Sequence, residues 1–543
     1  MPQRLARAIA VLTVVLAFPA TAAATDYCVP TTAACPGAAG TAQATFEAAL
    51  AQASAAANAD KIYLASGTFT APTTSGFSYN LAAGPIDVVG SGARGLSLTN
   101  LTTPTGSSGV LKLVAANGST ISHLAVSVAD NAAVSSRGLD LVGVAATDVV
   151  LNSGPTEPNP FSGVVLGASA SLASSSVDVP FTPGNMTAVW LNGPNTSIAD
   201  ATLSGRTGIS SNSSVVTATL DRLKITSSST GVSATGSTLS IHDSLLVLAS
   251  GCALGVIDQP STDGLINADG ATIVGTNTAA NALCASSINA APRTATINLT
   301  NSIIRGVGLG RTRFSSSNGI ANVNVTYSDF DPATDGADTA PGAYSPAAGQ
   351  LGATNINADP LFTSASDYRL LAGSPVVDKG DPTLTSTTFL DLGGFPLLFD
   401  GDVDCVARRD MGAYERQSGT APVCPFPVAM TPGSTPPAPG ATTPPITLPV
   451  GTPPVLDRIK PKLTKLRLRN ARLRFTLSEA ATVRIDLYRG TKRVRRVTIK
   501  GRPGANVLKL TLPARRARLS LRLRATDKAG NAGAAKLAVP ASP

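Results

Sequence analysis

The chain is poor in the residues that build common catalytic and metal centres. It has two histidines, His123 and His242, and one tryptophan among its 543 residues. Charged residues make up 14% of it, against about 25% in ordinary soluble domains. The shortage of histidine argues against a His-built metal site and against a Ser/His/Asp triad. The low charge excludes a coiled coil and a charge-rich disordered chain.

Long apolar runs are absent except near the start of the chain. There, Arg4 and Arg7 precede an apolar run over residues 8–18, and Ala22-Ala23-Ala24 follows. This order is typical of a secretory signal peptide, which is too short to span a membrane. We therefore expect residues 1–24 to be a signal peptide. The mature protein is expected to be secreted and associated with the cell surface, without a membrane span.

The cysteines suit an oxidising compartment, because there are six of them and no CxxC motif that would indicate zinc or thioredoxin-like chemistry. Six cysteines allow many pairings, and proximity in the chain favours three of these. The favoured pairs are Cys28 with Cys35, Cys252 with Cys284, and Cys405 with Cys424.

Charge is divided unevenly along the chain. Residues 457–543 hold 24 Lys and Arg against 4 Asp and Glu, whereas residues 1–456 hold 18 basic and 29 acidic residues. Such asymmetry predicts a basic domain with an anionic partner. For an exported protein, an extracellular polysaccharide or an anionic cell-envelope polymer fits better than nucleic acid.

A six-residue pattern repeats through the body of the chain, with apolar residues at its first and sixth positions. It begins at Ile121, Ala146, Leu172, Ile198, Leu220, Ile241, Ala268, Leu299 and Val325, at steps of 21 to 31 residues. A repeat of this length indicates a stacked architecture, because one unit cannot bury its own apolar face. The abundance of Val, Ile, Ser, Thr, Asn and Gly favours strands and turns. We therefore predict an all-β protein whose residues 60–338 form a parallel β-helix.

The segment before this solenoid carries a resemblance to a known superfamily. Residues 45–57 have the pattern of a short amphipathic helix, and a strand ending in Gly67-Thr68-Phe69 follows. These residues resemble the secreted pectate-lyase-like right-handed β-helix superfamily. The resemblance implies a right-handed solenoid and an N-terminal cap over residues 25–59. Such a cap would cover an open sheet edge.

The end of the solenoid resembles the bacterial "choice-of-anchor Q" surface proteins. The matching segments are DPLF from Asp359, the residues Asp367, Tyr368 and Arg369, GSPVVDKG from Gly373, and DMGAYE from Asp410. The resemblance implies a C-terminal cap over residues 339–416, secretion, and an attachment device further along the chain. It implies no reaction, so we interpret these residues as structural.

The remaining chain separates into a linker and a small domain. Residues 417–456 hold 12 prolines and no Asp, Glu, Lys or Arg, which predicts an extended linker. Short alternating strands in residues 457–543 predict a small basic β-sandwich, and the turn at Asp527–Asn531 resembles bacterial Ig-like and fibronectin-type-III-like modules. Arginines at alternate positions predict one cationic face suited to phosphate and carboxylate groups. Its predicted anion-binding residues are Arg472, Arg474, Arg518, Arg522 and Arg524.

Candidate catalytic residues are few. Asp221 and His242 share the second position of adjacent repeats and form the nearest approach to a titratable pair, with a surface ion pair as the alternative. The other second-position residues do not suggest a larger cluster. Asp329 and Asp331 lie in an acidic stretch that gives a second, weaker candidate.

Structural calcium is the one cofactor that the sequence suggests. Asp400, Asp402 and Asp404 resemble the opening of a calcium loop, because hard oxygens stand at alternate positions. The pattern then fails, since Cys405 and Met411 stand where an EF-hand requires Gly and Glu. An ordinary acidic turn is the alternative.

Two hypotheses for function follow. The first is a non-catalytic surface protein that binds glycan, adheres or acts as a scaffold, held to anionic envelope polymer by its basic domain. The second is a polysaccharide lyase or glycoside hydrolase that acts on an acidic polysaccharide in the solenoid groove. The missing carboxylate and lysine cluster favours the first.

Overall fold

The computed structural model divides the chain into two compact units, Met1–Pro427 and Val428–Pro543. The division falls inside the predicted linker. The structure describes residues 24–55, 58–80, 84–93, 96–128, 136–153, 161–181, 186–212, 216–276, 280–289, 293–306, 311–315, 319–335, 341–383, 389–417, 463–469, 472–477, 481–489, 492–501, 504–509, 519–526 and 532–539. Among them, no helix has the length and apolar character needed to cross a membrane.

The first unit contains one α-helix among its described residues and a long series of strands. Its first elements are β1 Asp26–Val29, β2 Thr41–Ala42, α1 Phe46–Ser54, β3 Asp60–Leu64, β4 Gly67–Thr70, β5 Phe77–Asn80, β6 Ile86–Val89, β7 Gly92–Ala93, β8 Leu96–Ser97 and β9 Thr99–Thr102. The next are β10 Gly109–Val128, β11 Ser136–Ser153, β12 Phe161–Leu166, β13 Ser171–Ala173, β14 Ser176–Asp178, β15 Met186–Leu191, β16 Thr196–Ala199, β17 Thr202–Asn212, β18 Thr217–Asp221, β19 Lys224–Thr235 and β20 Thr238–His242. The last are β21 Leu245–Leu248, β22 Gly251–Ile257, β23 Gly264–Asp269, β24 Thr272–Gly275, β25 Ala280–Ser287, β26 Thr294–Thr300, β27 Ile303–Arg305, β28 Arg311–Ser315, β29 Ile320–Thr326, β30 Tyr344–Ser345, β31 Phe362–Ser364 and β32 Asp367–Leu370. Single 3₁₀ turns cover Thr32–Ala34, Pro36–Ala38 and Pro332–Thr334.

These strands stack in parallel as a solenoid-like sheet. The first residues of the repeated hexapeptides pair in one continuous register, which confirms the predicted ladder. Every first-position and sixth-position side chain in the ladder is at most 4% exposed. The first and sixth residues of each hexapeptide therefore form the apolar interior. The preceding and following coils cover these residues and so bury them.

The third position of the hexapeptide is a sharp corner in every coil. Its φ angles are positive and lie between 47° and 72°. The residues are His123, Asp148, Ser174, Asp200, Arg222, Asp243, Gly270, Asn301 and Tyr327. This left-handed conformation suits glycine and asparagine but costs most other residues about 1–2 kcal/mol, so the stacking of the coils must hold the corner.

The fourth position carries a ladder of buried serine hydroxyls. Ser302 Oγ accepts the Ala271 N–H at 2.9 Å from the preceding coil and donates to the Thr300 carbonyl at 2.7 Å in its own coil. Ser175, Ser244 and Ser328 repeat the same pair of hydrogen bonds. The hydroxyls thus satisfy backbone groups that the corner removes from the regular ladder.

The predicted helix packs on the first coils. The Thr45 side chain caps α1 by accepting the Ala48 N–H at 3.2 Å. Phe46, Ala49, Leu50 and Ala53 are buried at helical spacing, and the Phe46 ring lies 4.8 Å from the Phe77 ring. The helix ends at Ser54, earlier than predicted. Of the residues in the predicted remainder, Ala56 and Ala57 lie outside the described part.

Two of the three predicted disulfides are present. Cys28 bonds to Cys35, beside the first strand, and Cys252 bonds to Cys284, joining two successive coils. The third predicted pair includes Cys424, which lies outside the described residues. The bonded cysteines are consistent with an oxidising, extracellular compartment.

The second unit forms two antiparallel sheets. Its strands are β33 Leu463–Arg469, β34 Arg472–Leu477, β35 Ala481–Arg489, β36 Lys492–Gly501, β37 Gly504–Lys509, β38 Leu519–Thr526 and β39 Ala532–Val539. The sheet orders are β33-β34-β37 and β36-β35-β38-β39. Leu473, Phe475, Val483, Ile485 and Leu523 belong to one buried cluster shared by both sheets. Sequence patterning missed β33 and β39, which flank the predicted strands.

Candidate functional site

The second position of each hexapeptide faces outward, because its neighbours in the strand face the interior. The register aligns Asp221 with His242 and His242 with Asp269 on successive coils. Neighbouring strands lie about 4.8 Å apart, so these three side chains form one outward row, here called the ionisable column. Asp269 extends the row of the predicted pair Asp221 and His242 by one coil.

The coils before the ionisable column carry a different surface. Their second positions hold Ser122, Thr147, Ala173 and Ala199, and none of these titrates in the ordinary pH range. The first residue of the column, Asp221, pairs in register with Ala199. The second position therefore changes from small neutral side chains to ionisable ones at one coil boundary.

The C-terminal segment of the first unit crosses the face beside this column. Arg409 is 2% exposed and donates through Nη1 to Asp269 at 2.7 Å and through Nη2 to Asp243. Gly270 lies against the guanidinium, and a Cβ there would stand 2.0 Å from Nη2. Ala413 donates its N–H to Thr272 Oγ1 at 2.9 Å. These contacts fix the segment on the coils that carry the column.

Two adjoining cavities lie where the segment meets the column. The first, of about 410 Å³, is lined by Asp221, His242 and Asp269, by Arg409, and by the apolar side chains of Phe389, Leu390 and Leu397. The second, of about 370 Å³, shares His242, Asp269 and Arg409 and adds the amides of Asn267, Asn298 and Asn301. We call the two together the column cleft. Phe389 is 54% exposed, so its ring presents an open apolar surface.

Burial raises the pKa of two carboxyl groups in the column cleft. It raises the pKa of Asp221, although Arg222 and His242 oppose the rise. It also raises the pKa of Asp243 to about 8, against the opposing charge of Arg409. Burial alone would lower the pKa of Arg409, but Asp243 and Asp269 outweigh it and raise the pKa. The guanidinium thus stays charged while burial draws the Asp221 and Asp243 carboxyl groups toward the neutral form.

The second predicted candidate pair lies elsewhere and is occupied by structural contacts. Asp329 is fully buried, forms an ion pair with Arg305 and accepts the Ala358 N–H at 3.0 Å. Burial raises its pKa to about 6. Asp331 caps the 3₁₀ turn through the Ala333 N–H at 3.0 Å. The two residues therefore stabilise the end of the solenoid.

One of the three predicted calcium ligands is replaced in the structure by another aspartate. Asp378, Asp400 and Asp402 place carboxylate oxygens within 4.8 Å of one another, while Asp404 forms an ion pair with Arg408 at 2.7 Å. Asp378 replaces Asp404 because the cap folds it against the turn, where it accepts the Asp402 N–H at 2.7 Å. Three hard oxygen donors suit Ca²⁺, and these residues would hold the ion if it binds.

The predicted arginine surface is divided between two sheets. Arg474 is exposed on β34 of the three-stranded sheet, whereas Arg522 and Arg524 are exposed on β38 of the four-stranded sheet. The expectation of one cationic face was wrong. The two sheets pack their apolar sides against each other, so their polar sides form two opposite outer surfaces. The side chain of Arg472 and the whole of Arg518 lie outside the described part.

The four-stranded sheet concentrates basic residues around one acidic residue. Arg484 lies directly opposite Arg524 across the strand pair. Asp486 lies between Arg522 on one side and Arg496 on the other, and it accepts from Arg496 Nε at 2.6 Å. We call the exposed residues Arg484, Arg496, Arg522 and Arg524 the basic sheet face. Like charges placed opposite each other destabilise a sheet, and Asp486, whose Oδ2 lies 3.6 Å from Arg484 Nε, partly balances the Arg484–Arg524 pair.

Sequence reasoning did not assign three residues of the column cleft, for two different reasons. Asp269 was visible at the second position of its repeat, and the register completes the row. Arg409 and Phe389 reach the column from more than 100 residues away in the chain, and no local pattern indicates such a contact. No protein-family model matches this chain, and no curated protein matches it.

Proposed function

We propose that this is a secreted, surface-associated protein that binds an extracellular polysaccharide in the column cleft. Its solenoid is proposed to be a right-handed parallel β-helix of the pectate-lyase-like type, closed by a "choice-of-anchor Q" end. The parallel stacked sheet and the two disulfides support this architecture. The binding function is supported by the cleft itself.

The observation that supports the proposal is that the exposed Phe389 ring and the ionisable column line the same cavity. Small-molecule sites combine apolar walls with a few convergent polar groups. An exposed aromatic ring offers an apolar face for the C–H side of a sugar. The carboxylates and amides of the column cleft would accept hydrogen bonds from, and donate them to, the hydroxyl groups of the sugar. The column cleft brings both kinds of surface together.

The proposal is tested by measuring polysaccharide binding with Phe389→Ala. We expect at least one polysaccharide from a panel of acidic and neutral chains to bind the unaltered protein. The substitution should weaken that binding about tenfold, because it removes the stacking surface. Phe314→Ala is the matched control, since Phe314 is 52% exposed and does not line the column cleft. Equal loss of binding in both variants would reject the column cleft as the site.

The basic domain is proposed to hold the protein to an anionic envelope polymer. The net charge of residues 457–543 and the basic sheet face support this role. Arginine fits phosphate and carboxylate oxygens in bidentate geometry. An exported protein meets such polymers at the cell surface, so they are preferred over nucleic acid.

A second candidate function is cleavage of an acidic polysaccharide in the column cleft. One observation favours it. Burial raises the pKa of Asp221, which lies one coil before His242 and two coils before Asp269. Two coil spacings, about 10 Å, separate the strands that carry the two carboxylates, near the upper range for an acid and base acting through water. Release of reducing ends by the purified protein, lost in Asp221→Asn, would establish it. Binding without release would leave the first proposal alone.

A further inference from the structure

One buried carboxylate of the first coil has no counter-ion among the described residues. Asp60 begins β3, is 2% exposed and shares its inward-facing side of the strand with Ile62. Ile86 follows it on the next coil. A carboxylate in an apolar interior is costly unless it is paired and fully hydrogen-bonded.

The contacts of Asp60 leave it only partly satisfied. Its Oδ1 accepts the backbone N–H of Thr25 at 2.8 Å, whereas its Oδ2 has no hydrogen-bond partner in the described part of the chain. The neighbouring Lys61 is directed to the opposite side of the strand and pairs with Asp87 at 3.6 Å. The hydroxyl of nearby Tyr79 donates to the Gly84 carbonyl at 3.0 Å.

We propose that the chain is cleaved between Ala24 and Thr25 and that the new α-ammonium group of Thr25 is the counter-ion of Asp60. In this hydrolysis, water adds across the peptide bond, its hydroxyl group going to the Ala24 carbonyl carbon and its hydrogen to the Thr25 nitrogen. The freed amine takes up a proton and gains three N–H donors in place of one. The endopeptidase required is one that cuts exported chains after small residues, and Ala22-Ala23-Ala24 supplies them.

The position of the cut is specified by atoms already in contact. The Thr25 nitrogen lies at hydrogen-bonding distance from Asp60, and the Thr25 carbonyl accepts the Lys61 N–H at 3.0 Å. A cut one residue earlier would leave a neutral amide at this place and move the charge about 3.8 Å away. A cut one residue later would remove Thr25. Only a start at Thr25 gives the buried carboxylate a cation.

The first test is the mass of the N-terminal peptide of the secreted protein, produced with its own residues 1–24. A start at Thr25 is the expected result. A mature protein that starts at any other residue would overturn the proposal.

The second test compares two proteins that end at Pro543 and begin at Thr25 or at Ala24. We expect amide hydrogens of Asp26–Val29 and Asp60–Leu64 to exchange about tenfold more slowly in the protein that starts at Thr25, because its ion pair opposes local opening. Asp60→Asn should abolish the difference. Asp87→Asn, on the outward side of the next coil, should preserve it.

A chemical measurement covers the case in which Asp60→Asn does not fold. At neutral pH, an amine-acylating reagent should modify the α-amino group of the Ala24 start faster than that of the Thr25 start, because an ion-paired ammonium is withheld from reaction. Equal acylation, or equal hydrogen exchange with Asp60 intact, would contradict the proposed pair.

Discussion

Arg409 lies 166 residues after Asp243 in the chain, yet its guanidinium holds that carboxylate and Asp269 in the folded protein. One cation therefore faces two carboxylates, one of them buried and the other partly exposed. This imbalance explains why burial can keep the pKa of Asp243 near 8 despite the ion pair. Arg409 and Arg222, which pairs with Asp221, are the two arginines that line the column cleft.

Replacing Arg409 with methionine should destabilise the first unit by a few kcal/mol at pH 9, because Asp243, with its pKa of about 8, is mostly ionised there and loses its counter-ion. The loss should be smaller at pH 5, where Asp243 is neutral in the folded protein. Urea unfolding at the two pH values measures it. Arg408→Met is the control, since its ion pair with Asp404 is at the surface and is screened by solvent. A pH-independent loss would contradict this account.

Glu415 and Asp410 form a second buried acidic pair. Burial, with the neighbouring charge of Asp410, raises the pKa of Glu415 to about 11 from an ordinary 4.5. Because the folded state holds the proton more tightly than the unfolded state, its stabilising effect is complete below pH 4.5 and is lost progressively toward pH 11. Stability of the cap should therefore fall as the pH rises through this range.

Glu415→Gln should reduce that pH dependence, because the amide cannot ionise and still offers an oxygen to the Asp410 N–H. Thermal unfolding followed from pH 5 to pH 10 would measure the change. The variant should melt higher than the unaltered protein at pH 9. An unchanged slope would show that another group controls the titration.

At the scale of the coil, the serine ladder supplies hydrogen bonds that strand pairing cannot. Ser302→Ala should leave the Ala271 N–H buried without its acceptor, at a cost of about 1–3 kcal/mol. Ser240→Ala, on the outward face of β20, should change stability by less than about 0.5 kcal/mol. Denaturant midpoints of the two variants provide the comparison. Equal effects would mean that the ladder has no special role.

The ladder and the corner differ in how much of them the sequence reveals. The apolar first and sixth positions repeat clearly, so their register could be predicted. The corner at the third position could not, because side chains as different as those of Arg222, Asp243 and Tyr327 adopt it. Left-handed residues are recognised in sequences through glycine, asparagine or aspartate, and four of the nine coils use none of these.

At the scale of the whole molecule, the sequence predicts the stacked body, the helix and the two-sheet domain from local periodicity. It predicts two members of the ionisable column for the same reason. Phe389 and Arg409 could not be predicted, because they reach the column through the folding of the cap over the solenoid. The division of the arginines between two sheets depends on strand order, which alternation alone does not specify.

Removal of residues 457–543 should abolish salt-sensitive retention on the cell envelope, because it removes most of the positive charge. Replacing Arg484 and Arg524 with glutamine should weaken retention if the basic sheet face binds the polymer. Arg467 and Arg474 form the corresponding opposed pair on the other sheet, and their double replacement is the matched control. Release of protein by increasing salt measures all three. Retention unaffected by the truncation would reject this role for the basic domain.

Because the coils stack at a constant spacing, a distance along the solenoid can be expressed as a number of coils. Six successive pairings separate Ile62 in the first coils from Leu220 at the start of the ionisable column, or about 29 Å at one strand spacing each. The coils between them could be added or removed one at a time without altering the column cleft. A bound chain would then be displayed at a height above the N-terminal cap that evolution can adjust in steps of one repeat.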